Sequence, residues 1–255
     1  MSNSSYNATI TIIKFRLKDF ISEYQYKVLS PLISTILFVI IFSTIENYYS
    51  VKIDQKSFLE FLIPGLILMV VVQESFDNSS STIVNMKQIG SFDDFLKAPI
   101  SRIEIFASFI VSSIIIGLFL AFLNYFILTF FFGFEYFQIL YFCFYTTIAT
   151  VFFSSLGCLT GFLSYNWDTQ SSVSNFVVIP ISLLSGTFFT INDLPNSFKF
   201  LLTYNPYYYV VSNFRSSFYF DFEFYLGVNL LILFTALVSI FIVGYVFYRG
   251  FKVIK

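Results

Sequence analysis

The sequence contains no histidine. That absence excludes histidine metal sites, serine–histidine hydrolysis and histidine proton relays together. Charge is scarce as well: 11% of the 255 residues are Asp, Glu, Lys or Arg, where a soluble domain carries about 25%. Hydrophobic residues make up 57% and mean hydropathy is +0.79, the composition of an integral membrane protein. The net charge of −1 gives no basic field to attract nucleic acid. Only two cysteines occur, Cys143 and Cys158, and they fall in one predicted helix. Their spacing corresponds to roughly 22 Å along the axis, whereas a disulfide needs Cα atoms within about 7 Å. Both are therefore expected as free, buried thiols. No Gly-Lys dipeptide occurs, so the phosphate-cradling G-x-x-x-x-G-K-[ST] loop is absent. No catalytic residue, metal ligand or bound cofactor is assigned to the chain.

Tryptophan occurs once, yet aromatics reach 22%, with 38 Phe and 18 Tyr. A conduit lined by rings would use them. Coding bias in an AT-rich genome, which favours Phe, Ile, Tyr and Asn, would also supply them.

Charge-free runs mark the membrane spans, because about 20 apolar residues cross the hydrocarbon. Six are expected, at 28–46, 58–84, 103–131, 138–164, 170–191 and 224–248. No sizeable soluble domain is left, so residues 1–255 are expected to form a single transmembrane domain of the all-α class. Residues 1–27 lack the basic start, apolar core and cleavage site of a signal peptide. Ile10, Ile13, Leu17, Phe20, Ile21 and Tyr24 share one helical face, with Lys14, Lys18, Asp19, Glu23 and Gln25 around the rest. This reads as an interfacial helix lying on the membrane, or as a solvated lead-in.

Orientation follows from Lys and Arg in the loops. With the N-terminus inside, Lys14, Arg16, Lys18, Lys27, Lys87, Lys97, Arg102, Arg249, Lys252 and Lys255 are cytoplasmic. Lys52, Lys56, Lys199 and Arg215 fall outside. Ten against four places both termini in the cytoplasm. The loop 87–102 is then cytoplasmic. Ser91 can cap a short helix through Asp93, Asp94, Phe95 and Leu96, with the acids near its positive end. Ala98-Pro99 stops that helix, and Ser101 with Glu104 forms a capping box that opens span three.

Glu74 and Asp77 lie near the inner end of span two. Charge within a span is a functional-site hypothesis by default: they line the inner mouth of a path, or this end already lies among headgroups. Pro64-Gly65 and Ser185-Gly186 allow close helix approach at a dimer seam, or are lipid-facing kinks. Pro180 is expected to kink span five. Segment 192–223 is too polar to span yet rich in Phe and Tyr. Pro195 and Asn205-Pro206 break it into pieces that Phe198, Leu201, Leu202, Phe214 and Phe218 could seat in the interface, as a re-entrant pair of helices or as an aromatic-belt loop.

Two blocks carry a family resemblance. One is Phe61-Leu-Ile-Pro-Gly-Leu, then Asn78-Ser-Ser-Ser, Gly90 and Leu96-Lys-Ala-Pro-Ile-Ser101. The other is Pro180-Ile-Ser-Leu-Leu-Ser-Gly-Thr-Phe-Phe189, Asp193-Leu-Pro195, Asn205-Pro206 and Arg215. In order and spacing they resemble the type-2 ABC transporter permeases, the membrane subunits of bacterial exporters. The resemblance implies that the N-terminal helix and a coupling helix at 87–98 sit on a separate ATPase subunit. Lys87, Gly90, Ser91, Phe92, Asp93, Asp94, Phe95 and Leu96 would make that contact. It implies two permeases, here most simply a homodimer, with two ATPases that hold ATP and Mg2+. Spans two and five would border the path, which places Pro64, Gly65, Glu74, Asp77, Pro180, Ser185 and Gly186 beside it. It also implies short re-entrant helices at 192–223 and a bacterial inner-membrane location. Polysaccharides, lipid-linked glycans or drug-like amphiphiles are the implied substrates.

Two other classes compete. An ion-coupled secondary transporter would need ionisable groups at mid-membrane and usually two repeated halves; the charges here sit at span ends, and no repeat is visible. A membrane enzyme lacks its histidine, and the adjacent Asp93 and Asp94 point to different helix faces.

Overall fold

The computed structural model describes residues 3–49, 52–53, 56–92, 100–133, 137–219 and 226–249. These are almost wholly helical. Helix α1 (Asn3–Ser22) is followed by a wide π-turn at Gln25–Leu29 and then α2 (Ser30–Tyr49). A two-residue antiparallel ladder of β1 (Lys52–Ile53) and β2 (Lys56–Ser57) leads into α3 (Phe58–Gln88). Next come α4 (Arg102–Phe132), α5 (Ile139–Leu163) and α6 (Trp167–Val173), a second π-turn at Ser174–Val178, and α7 (Ile179–Leu183). A 3-10 turn at Ile191–Asp193, α8 (Lys199–Thr203), α9 (Pro206–Ser216) and α10 (Leu226–Arg249) complete the fold.

Four helical stretches among the described residues are long and apolar enough to cross a membrane: Gln25–Tyr48, Phe58–Gln88, Arg102–Phe132 and Ile139–Leu163. The first is mostly exposed, whereas α3 is mostly buried and packs most extensively against α5. The bundle is thus built around α3. Local chemistry sets its ends. Ser57 and Glu60 form a capping box at its start, and Ser101 and Glu104 form the expected one at the start of α4. Gly90 and Gly133 follow α3 and α4 at φ 74° and 62°, a left-handed conformation that glycine adopts without steric cost.

Prolines leave marks that the rest of the chain answers. Each π-turn ends two residues before a proline, Pro31 or Pro180, with the N–H of Ser30 on Gln25 O and that of Ile179 on Ser174 O. The run around Pro180 is therefore widened just ahead of the proline, at the place where the sequence suggests a kink. Inside α3, Pro64 has no N–H to offer the carbonyl of Glu60. Tyr219 Oη donates to that carbonyl instead, at 3.1 Å.

Two apolar clusters fill the interior. The larger joins α3, α4, α5, α9 and α10, and the rings of Tyr125, Phe137, Phe142, Phe214 and Phe218 pack on one another within it. The smaller gathers Ile12 of α1, Ile83 and Met86 of α3, Phe106 and Phe109 of α4 and Phe162 of α5. Cys143 and Cys158 are free thiols.

The segment after α7 folds inward rather than lying flat. Leu202, Phe214 and Phe218 are buried, while Phe198 and Leu201 remain exposed. Asn205 caps α9, accepting from Tyr207 N at 3.0 Å and donating to Leu184 O at 3.1 Å. It thereby ties this segment to the end of α7.

Candidate functional site

The half of α3 that ends at Gln88 is polar, with Ser75, Asn78, Ser79, Ser80 and Thr82 all buried. Several of the hydroxyls bond back to the helix's own carbonyls. Ser75 donates to Val71 O, Ser80 to Phe76 O and Thr82 to Asn78 O. Ser79 pairs across the helix contact with Ser113 of α4 at 2.9 Å.

Three elements grip this turn from different sides. On the first side, α5 presents Gly157-Cys-Leu-Thr-Gly161. A Cβ on Gly157 would lie 2.5 Å from Phe76 O, and one on Gly161 would lie 2.8 Å from Ser80 O. The backbones of α3 and α5 therefore meet through a small-xxx-small contact. That pair is legible in the sequence as G-x-x-x-G.

On the second side, Asp77 Oδ1 accepts from Gln170 Nε2 at 3.1 Å and from Ser174 Oγ at 3.0 Å. Gln170 Nε2 also donates to Ser80 Oγ at 2.9 Å. Asp77 thus ties α3 to α6 and the π-turn after it. Glu74 is half-buried one turn away, within the electrostatic reach of Lys27, Asp77 and Glu23. Lys27 itself pairs with Glu23 at 2.8 Å and Asp19 at 3.2 Å. Beside this group, a cavity of about 130 Å³ is lined by Asp19, Glu23, Lys27, Ser81, Asn85 and Trp167, among others.

On the third side stands Arg16 of α1, which periodicity alone does not single out. The buried face of α1 is Ile12, Arg16 and Phe20, while Ile21 and Tyr24, expected on the apolar face, are exposed. Arg16 is 1% exposed. One terminal nitrogen donates to Phe109 O and to Ser112 Oγ of α4, both at 2.9 Å. The other reaches Asn78 O of α3 at 3.1 Å. The guanidinium carbon lies 4.0 Å from the centre of the Phe109 ring. Burial pushes the Arg16 pKa down to about 10, partly offset by Cys158 and Asp19, so the side chain is a cation at neutral pH. No carboxylate forms an ion pair with it among the described residues.

At the other end of α3 a second buried arginine does similar work. Arg215 of α9 donates to Phe61 O at 2.9 Å and to Gly186 O at 2.8 Å, with its guanidinium carbon 3.6 Å from the Phe61 ring centre. Gly65 sits against Thr187, whose Cγ2 and Cα would lie 2.9 and 3.1 Å from an added Cβ. Gly65 and Gly186 thus make their close contacts within one chain. Pro64 is buried beside them. Ser185 is buried too, bonded to Ser182 O and Thr187 Oγ1.

Of the residues placed at an ATPase contact, Lys87 turns inward. Its ammonium donates to Phe162 O and to Ser164 O, the carbonyl end of α5, where a cation is favoured. Gly90 has open space around it, Ser91 Oγ donates to Met86 O, and Phe92 is buried in the smaller cluster. Asp93, Asp94, Phe95 and Leu96, and with them the second half of the expected coupling helix, lie outside the described residues.

Comparison with known proteins shows the family. The family described as "ABC-2 type transporter" matches residues 7–219. The chain is 29% identical over 199 residues to the inner membrane transport permease YadH of Escherichia coli K12, covering 78% of this chain and 75% of that protein. It has the same likeness to YadH of Shigella flexneri.

Proposed function

Because this chain belongs to the ABC-2 type transporter family, we propose that it is the membrane permease subunit of an ATP-driven exporter, powered by separate ATPase subunits. The observation that carries the reading is the construction of α1. It does not merely rest beside the bundle: Arg16 fastens it to α3 and α4, so force applied to α1 has a route into the spans. The phosphate-cradling loop is missing from the sequence, so ATP and Mg2+ belong on the partner.

In this reading the helical runs Trp167–Leu183 and Leu226–Arg249 cross the membrane with the four longer stretches, giving six spans with both termini cytoplasmic. The segment holding α8 and α9 is the re-entrant outer element. The relatives are named inner membrane transport permeases, which supports an inner-membrane location. Two copies enclose the path, with Glu74 and Asp77 at its inner mouth. The implied substrates are a polysaccharide, a lipid-linked glycan or a drug-like amphiphile.

Purification of the tagged chain in mild detergent tests this reading. A separate ATPase subunit should co-purify, and Phe95→Asp with Leu96→Asp should lose it while the chain still inserts. A well-folded wild type that brings down no nucleotide-binding partner, even after crosslinking in membranes, overturns it.

A further inference from the structure

Arg16 is a buried cation with no ion-pair partner among the described residues. Its two main-chain acceptors keep other donors without it: Phe109 O also receives Ser112 Oγ, and Asn78 O receives Thr82 Oγ1. Ile12 and Phe20, one turn to either side on the same face, already bury α1 by apolar contact. A long apolar side chain at position 16 would pack the helix with no desolvation penalty, since an ion taken out of water is compensated only by good geometry. What the guanidinium adds is directional. Its planar fork engages α3 and α4 at once, with its face on Phe109, an arrangement that a flexible ammonium cannot reproduce.

The acceptors are also significant. Both carbonyls lie in stretches where hydroxyl side chains bond back to the ladder, which loosens and bends helices. The turn of α3 involved is the one gripped by Gly157 and Gly161 of α5 and by Gln170 of α6.

We propose that Arg16 is a positioning residue that pins α1 to α3 and α4, so that the three move as one body when a partner displaces α1. The proposal rests on the permease reading above.

The test uses the assembled transporter in lipid, with a chain lacking its two native cysteines. Spin labels go on Lys18→Cys of α1 and Phe131→Cys at the far end of α4, both exposed positions. Distances are compared without nucleotide and with ATP and vanadate. In the otherwise wild-type chain the α1-to-α4 distance should stay unchanged on trapping, while the distance between Phe131→Cys labels in the two copies changes. Arg16→Met should at least double the width of the α1-to-α4 distribution on trapping and shrink the inter-copy change at least twofold. Ile12→Ala, which removes packing and leaves the clamp, should behave as the parent. Arg16→Met that transmits like the parent overturns the proposal. If Arg16→Met fails to insert, Arg16→Lys and Ser112→Ala, which keep part of the clamp, are read the same way, and parent-like behaviour in both overturns it. If the parent shows no nucleotide response in either distance, the permease reading itself fails and the pin falls with it. That pattern is distinct because it does not depend on residue 16.

Discussion

The two buried arginines look alike and differ in what they leave behind. Arg215 donates to Gly186 O, which lies in a turn outside any helical ladder, and stripping a partner from a buried acceptor costs ~1–3 kcal/mol. Arg16 donates to ladder carbonyls that keep other donors, and replacing a buried charge with an apolar group is often neutral or stabilising. Thermal unfolding in detergent should therefore separate them. Arg215→Met is expected to lower Tm clearly, whereas Arg16→Met leaves it unchanged or raises it. A large loss at Arg16 with none at Arg215 would reverse this assignment. Neither role could be read from sequence. A lone Arg among Lys14, Lys18 and Asp19 looks like one more charge on a solvated face, and its acceptors lie 62 to 96 positions away.

Among the elements, α3 dominates because α5 lets it approach closely. Valine at Gly161 would place its Cβ 2.8 Å from Ser80 O and 2.9 Å from the Ile83 Cβ. The first of these is backbone and cannot step aside as a side chain could. Gly161→Val should cost about 1–3 kcal/mol as overpacking and separate α3 from α5, measurable as a lower Tm and a lower yield of folded chain; Gly244→Ala, with only ordinary contacts to Phe106, serves as the control and should be near neutral. Much at this scale was legible in the sequence. Ser101-x-x-Glu104 names a capping box and the structure forms it, and the proline near the middle of the fifth apolar run sits just after a widened turn. The inward course of α9 was not legible, because Phe214 and Phe218 in a polar, tyrosine-rich stretch suit a membrane interface as well as a core. Tyr219 supplying the hydrogen bond that Pro64 cannot was hidden for the same reason as the arginines: the two residues meet only through the tertiary fold.

At the scale of the whole molecule, the polar half of α3 joins α1, α5 and α6, while its other end joins α9 and the turn at Gly186. Through Arg16, α1 reaches α3 and α4 directly. The composition made the membrane class plain, and the two motif blocks pointed to the family. Which side chains bind the bundle together depends on contacts between distant segments, and a single sequence does not display them. The proposed function makes this chain the membrane half of an ATP-driven assembly. Native mass spectrometry of the complex extracted from membranes tests it most directly. The expected particle holds two copies of this chain and two nucleotide-binding subunits, and it loses both ATPases when Phe95 and Leu96 are changed to Asp. A chain that leaves the membrane intact and folded, yet always free of any nucleotide-binding subunit, would contradict it.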